Sequence, residues 1–237
     1  MRRPRRIVLV KDMIKITDST VFNTTAECIV NTINCVGFMG KGIALEFALR
    51  YPKLEEKYVE ECRKKQIHTG RVYLYDIDGQ KIINFPTKFH FKYPSQMEWI
   101  EQGLKFFVDN YKEWGINSIA FPILGATNGG LNPKEVEEVM VKYLSTIDID
   151  VFICHSKLLE GKELEMVTAF KETPISEIKK HVRLTVKQFC ALEQDQQSIK
   201  RFIDISKIEG IGIDTYKALF RLFYFTDIHG GEQLLLF

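Results

Sequence analysis

Lys88 sits in the run NFPTKFHF, at the end of an apolar stretch and beside Phe85, Phe89 and Phe91. An ammonium partly withdrawn from water has a lowered pKa and supplies more neutral amine. A neutral amine can attack an anomeric carbon and form an adduct that water later resolves. The charged form can instead hold a substrate or assist a departing base electrostatically. By residue type alone, a solvated surface lysine is the commoner outcome. His90, two residues on, has two readings of equal standing: a proton carrier or a histidine that packs.

Two glycine-rich stretches suggest a second chemistry. Residues 30–47, VNTINCVGFMGKGIALEF, run from an apolar segment into Asn34, then Gly37, Gly40 and Gly42, then a helical pattern. Residues 121–131, FPILGATNGGL, place Gly125, Ala126, Thr127, Asn128, Gly129, Gly130 and Leu131 between an apolar segment and the next helix. Free N–H groups at a helix start favour an anion, and successive loop amides form a nest for a diphosphate. Neither stretch is a Walker A loop or GxGxxG, and each alone is as readily a tight turn. Together, at the carboxyl ends of strands in one sheet, they point to a phosphate-bearing nucleotide in a shared crevice. Phe38 and Met39 either cover the ligand or pack the first loop. Cys35 has no partner base and reads as a small buried residue.

The elements that must hold these residues alternate strand and helix. Residues 13–17 and 28–33 are short apolar strands. Residues 40–50 read as a helix that stops before Pro52, because proline disfavours helix in the residue ahead of it. A further helix fits 53–66, with the charge-rich run 55–65 as a solvated face. Residues 71–76 and 81–85 form a hairpin around Asp78-Gly79. Ser95 is expected to cap a helix to about residue 111, with Glu98 at the capping-box position. Residues 118–124 are a strand, Asn132-Pro133 opens a helix through 144, and 150–155 are a last strand. The order predicts an α/β fold class: a three-layer α/β/α domain with a mixed central sheet.

The chain has 237 residues, 45% hydrophobic and 27% charged. That suits a globular domain with an appendage and excludes disordered, collagen-like and membrane-spanning classes. A net charge of +2 excludes a polycationic nucleic-acid binder, so any such contact is local. Cys28, Cys35, Cys62, Cys154 and Cys190 are odd in number and lack zinc or redox spacing, as expected for free thiols in a reducing cytoplasm. No metal is expected, because His68, His90, His155, His181 and His229 show no ligand spacing. Residues 1–12 read as a basic N-terminal arm, or as a misplaced start ahead of Met13, and their apolar run is too short for a signal sequence.

The runs NTINCVGFMGKGIA, NFPTKFH and PILGATNGGL, in that order, resemble the macrodomain family. The resemblance is closer to its DarG antitoxin branch and to the terminal ADP-ribose protein glycohydrolases. It implies a macrodomain over 13–172 that binds ADP-ribose without a cofactor. By the same resemblance Asn34 faces the distal ribose, Lys88 is the catalytic lysine and His90 is the histidine that follows it. Asp18 falls near the family's adenine-contacting aspartate, here in TDST where the family has GDIT. The family's lysine-nucleophile enzyme has an aspartate in the second loop, and this chain has no carboxylate between Gly125 and Leu131. The expected mechanism is therefore dominated by Lys88.

Past residue 172 the pattern turns helical, and 173–237 read as a second domain hinged at Thr173-Pro174. Residues 198–223 resemble a helix-hairpin-helix, in which amides at Gly210 and Gly212, with Lys207 and Lys217, meet a DNA phosphate. An ordinary αα-hairpin is the equal alternative, and in the DarG branch the C-terminal part neutralises the toxin. The last segment, HGGEQLLLF, reads as a docking strand or a packed terminus.

These readings predict a cytoplasmic glycohydrolase that frees ADP-ribose from thymidine in DNA, as antitoxin to a DarT-like transferase. The competing expectations are hydrolysis of ADP-ribosyl esters or ADP-ribose 1″-phosphate, and a non-catalytic ADP-ribose or toxin-binding module.

Overall fold

A computed structural model describes residues 7–11 and 13–226. The segment HGGEQLLLF lies outside the described residues. The chain divides into two compact units, residues 1–158 and 159–237.

The first unit is built on a seven-stranded sheet. Its strands are β1 (Ile7–Lys11), β2 (Ile14–Thr17), β3 (Cys28–Asn34), β4 (Tyr73–Ile77), β5 (Gln80–Lys88), β6 (Ser118–Pro122) and β7 (Asp150–Cys154), in the order β1-β2-β7-β6-β3-β5-β4. The pairs from β2 through β5 are parallel, and each edge strand is antiparallel to its neighbour. Half of the expected N-terminal arm is therefore an edge strand, β1, paired along β2.

Alternation along the strands sends side chains to two cores. Val30, Ile83, Phe85, Ile119, Phe121, Val151 and Ile153 meet α3 (Met97–Asn110) and α4 (Pro133–Leu144). Ile29, Ile82 and Ala120 meet α1 (Gly42–Arg50) and α2 (Pro52–Arg63) through Phe47 and Leu54. Parallel strands buried on both faces read as continuous apolar runs, as these do.

The helix after Ser95 differs from expectation. It starts at Met97, its N-cap is Gln96, and no side chain caps it. Ser95 is buried, and its N–H donates to the Gly129 carbonyl at 2.9 Å. Glu98 accepts from Gln102 one turn on instead of closing a capping box. The Asn132 cap holds as expected, accepting from the Lys134 N–H at 3.0 Å.

The second unit contains α5 (Gly161–Glu172), α6 (Ile175–His181), α7 (Val186–Asp195) and α8 (Ile213–Phe225), with 3₁₀ turns at Gln196–Ser198 and Phe202–Lys207. The division falls at Leu158, and not at the expected 172. The reason is aromatic packing: Phe170 of α5 meets Phe202 and Phe223 edge-on, at 6.1 and 5.6 Å between centroids. Glu163, also on α5, accepts from the Arg201 guanidinium and from the Phe202 N–H.

Candidate active site

The carboxyl ends of the parallel strands carry the candidate residues: Asp18 just past β2, Asn34 ending β3, Lys88 ending β5, and the loop after β6. Ligands of open α/β sheets bind at this edge. Beyond Asn84, β5 continues past its pairing with β4, so Pro86 is tolerated where no ladder donor is needed. The register of β3 on β5 skips Thr87, so that Ile33 pairs with Pro86 and Asn34 with Lys88. A bulge of this kind re-aims the side chain beyond it.

Lys88 donates from Nζ to the backbone carbonyl of Asn128 in the second glycine loop. Burial lowers its pKa below the ordinary lysine value. The rings expected to withdraw it from water divide. Phe85 is buried in the core, whereas Phe89 and Phe91 are exposed. Withdrawal comes from the buried end of β5 and from the facing loop.

Asn34 is buried and fully engaged. Its Oδ1 accepts from the N–H of Val36 at 2.9 Å and from the Tyr58 hydroxyl at 3.0 Å, and its Nδ2 donates to the Phe38 carbonyl at 2.7 Å. The Gly37 N–H donates to the Tyr58 oxygen, and the Cys35 N–H to the Phe89 carbonyl. The first loop thus spends the amides of Cys35, Val36 and Gly37 on its own packing. Donors toward a ligand come from the residues after them and from the first turn of α1, where an α-helix has unpaired N–H groups.

Of the two readings of Met39 the structure favours packing: it is buried among Ile33, Ala44, Ala48 and Tyr58 in the first loop. Phe38 is half exposed, and its ring lies over Gly40, where a Cβ would meet it at 2.2 Å. Gly42 has φ +60°, and a Cβ there would meet Asn128 Nδ2 at 2.5 Å. Glycine at 42 is what lets the two loops touch.

In the second loop, the Gly130 and Leu131 amides close on the Ala126 and Gly125 carbonyls. This leaves the amides of Ala126, Thr127, Asn128 and Gly129 as the ones the turn does not spend. Leu131 packs on the core, and Thr127 and Asn128 are exposed. Gly129 can only be glycine, since a Cβ would meet the Gly125 carbonyl oxygen at 2.0 Å. Ser95 had no sequence signal for its place beneath this loop, where its Oγ has no hydrogen-bond partner.

His90 stacks on Phe91 at 4.4 Å, and its Nδ1 accepts the Lys92 N–H at 3.2 Å. The proton of the neutral ring then lies on Nε2. Asp18 pairs with Lys157 at 3.2 Å, and its carbonyl accepts from the N–H groups of Lys157 and Leu158. Tyr58, beneath the first loop, was not visible as a site residue, because it lies on α2 among ordinary amphipathic spacing. Burial pushes the Cys35 thiol up to about 12 and the Cys62 thiol up to about 11, so neither is a ready nucleophile.

In the second unit the expected hairpin begins with a 3₁₀ turn where an α-helix was expected. Lys207 is held by Asp204 at 2.7 Å, while Gly210 and Gly212 face open space. Gln188, part of a capping box with Thr185, donates to the Gly210 carbonyl and to Thr215 Oγ1. Asp214 adds a negative charge to the first turn of α8.

Residues 30–140 match the Macro domain family. The chain is 38% identical over 167 residues to the DNA ADP-ribosyl glycohydrolase of Thermus aquaticus, covering 68% of this chain and 46% of that protein. It therefore spans about half the length of the curated relatives it matches. The solved macrodomain of Mycobacterium tuberculosis DarG is 37% identical, with a TM-score of 0.58 over 60% of this chain and 97% of that one. Thermosipho africanus DarTG in complex with ADP-ribose is 31% identical, with a TM-score of 0.61 over 63% of this chain and 43% of that one.

Proposed function

We propose, from the premise that the chain belongs to the macrodomain family, that it binds ADP-ribose and hydrolyses its bond to a thymine base in DNA. The observation that carries this reading is the contact between Lys88, at the end of β5, and Asn128 of the facing glycine loop. It sets a partly desolvated amine beside amides suited to a pyrophosphate.

The relatives named DNA ADP-ribosyl glycohydrolase support the substrate, since the matches cover 68% and 64% of this chain. The α1 N-terminus and the amides of Ala126 to Gly129 take the diphosphate. Asn34 acts through the loop it braces, shaping the wall against the distal ribose, and Asp18 serves the adenine end. The neutral Lys88 amine attacks the anomeric carbon. A C–N bond to the lysine forms as the C–N bond to the base breaks, and the electron pair leaves with the base nitrogen. The proton shed by the amine passes to that nitrogen with His90, two residues on, as its carrier, the ring taking a proton at Nδ1 as it gives one up from Nε2. Water then attacks the same carbon, releasing ADP-ribose and restoring the amine.

The same relatives include a transferase–glycohydrolase fusion, which supports a DarT-like toxin as partner and an antitoxin role. Among the described residues no helix is long and apolar enough to cross a membrane. At the C-terminal hairpin a DNA phosphate would be met by Gly210, Gly212 and Lys217, since Lys207 is paired.

The test is release of ADP-ribose from an ADP-ribosylated oligonucleotide by the wild type and by Lys88→Ala. Wild-type release that the variant lacks supports the reading. Equal release removes Lys88 from the mechanism. Binding of ADP-ribose without turnover would reduce the protein to a reader module.

A further inference from the structure

The loops around the cleft present aromatic rings to water. Phe38 is 50% exposed, Phe91 41% and Tyr93 62%. The rings are contiguous. Phe38 and Phe91 lie 4.8 Å apart between centroids, His90 stacks on Phe91 at 4.4 Å, and Tyr93 meets His90 at 5.4 Å. Contiguous exposed apolar surface of this kind marks a contact site. The mechanism above gives Phe38, Phe91 and Tyr93 no work, and the core does not need them.

The two segments that carry the rings hold only positive charge. Residues 34–45 contain Lys41 and no carboxylate, and residues 85–97 contain Lys88 and Lys92 and no carboxylate. Lys41 and Lys92 are exposed, and the Lys92 ammonium lies 5.9 Å from the Phe91 ring. Exposed aromatic rings beside exposed lysines suit a polyanion that carries flat rings. That is the chemistry of a single strand of nucleic acid, whose unpaired bases stack on aromatics while its phosphates meet lysines. A duplex hides its base faces and fits poorly.

We propose that Phe38, His90, Phe91 and Tyr93 form a stacking platform for bases of single-stranded DNA flanking the modified nucleotide, with Lys41 and Lys92 on the adjoining phosphates. The choice of DNA rests on the glycohydrolase reading, and the platform's geometry stands without it. The platform makes the protein select modified single strands over modified nucleosides and modified duplexes.

The test uses the full chain with Phe91→Leu, which keeps bulk against Phe38, with Tyr93→Ala, and with Tyr93→Phe as the conservative control. A 2-aminopurine-containing unmodified single-stranded oligonucleotide reports stacking by its fluorescence. The wild type and Tyr93→Phe quench it. Phe91→Leu and Tyr93→Ala each bind about ten- to a hundredfold more weakly. In parallel, kcat/KM is measured on ADP-ribosylated single strand and on ADP-ribosylated thymidine. The same two variants lose a comparable factor on the strand and keep the wild-type rate on the nucleoside. Failure of the wild type to quench overturns the platform, as does equal loss on both substrates. Quenching with no hydrolysis of either substrate upholds the platform and overturns the glycohydrolase reading.

Discussion

Asn34 and Lys88 stand opposite each other in the parallel pair of β3 and β5, immediately past a bulge that skips Thr87. Regular pairing would set Thr87 there, because side chains alternate faces and a one-residue shift reverses them. The bulge therefore brings the residue that braces the first loop level with the amine that reaches the second.

The pH dependence of hydrolysis follows from the burial of Lys88. Because its pKa is lowered, the neutral fraction rises with pH and reaches half below the usual lysine value of about 10.4. The rate constant kcat is expected to climb above neutral pH and level off short of that value. Lys88→Arg stays charged and is expected to lose about a hundredfold or more. A flat wild-type profile with an active arginine variant would assign catalysis to the charged form.

Asn34→Ala removes the side-chain acceptor of the Val36 N–H and the side-chain donor to the Phe38 carbonyl, and leaves the Tyr58 hydroxyl only the carbonyl of residue 34. The cost is about 2 kcal/mol in thermal unfolding, together with weaker ADP-ribose binding by calorimetry. Tyr58→Phe removes part of the same network and costs about 1 kcal/mol. An Asn34→Ala protein of wild-type stability would deny the bracing role.

Gly129→Ala and Gly130→Ala separate space from backbone conformation. At 129 the new methyl meets the Gly125 carbonyl oxygen, and the second loop must move. ADP-ribose affinity is expected to fall at least about fivefold, from a distortion of about 1–3 kcal/mol. At 130 nothing lies within 4 Å and only the φ of +80° is strained. That substitution costs about 1–2 kcal/mol of stability and leaves affinity within a fewfold.

Glu163→Ala breaks the pair with Arg201, in which Glu163 accepts at 2.9 and 2.6 Å while nearly buried. Removing one partner of such a pair costs about 3–5 kcal/mol. Denaturant unfolding of the full chain is expected to show a transition at lower concentration. Loss of less than about 1 kcal/mol would mean that the pair behaves as a surface one.

The architecture was largely written in local pattern. Apolar runs marked β2, β3, β6 and β7, Asp78-Gly79 marked the β4–β5 hairpin, and Asn132-Pro133 marked the start of α4, because these depend on residues close in the chain. The glycine spacing marked both loops, and NFPTKFHF marked Lys88. Tertiary structure alone decided the rest. It spent the Asn34 amide on Tyr58 and on its own loop, put Met39 into the core, drew Ser95 under Gly129, and left Phe91 in water. It also moved the division of the chain to Leu158, since α5 finds its aromatic partners thirty and more residues downstream, in Phe202 and Phe223. Each of these outcomes depends on which distant side chain competes for the same hydrogen bond or the same volume. A sequence read through local windows shows which elements form, and only close packing shows which of their atoms are already taken.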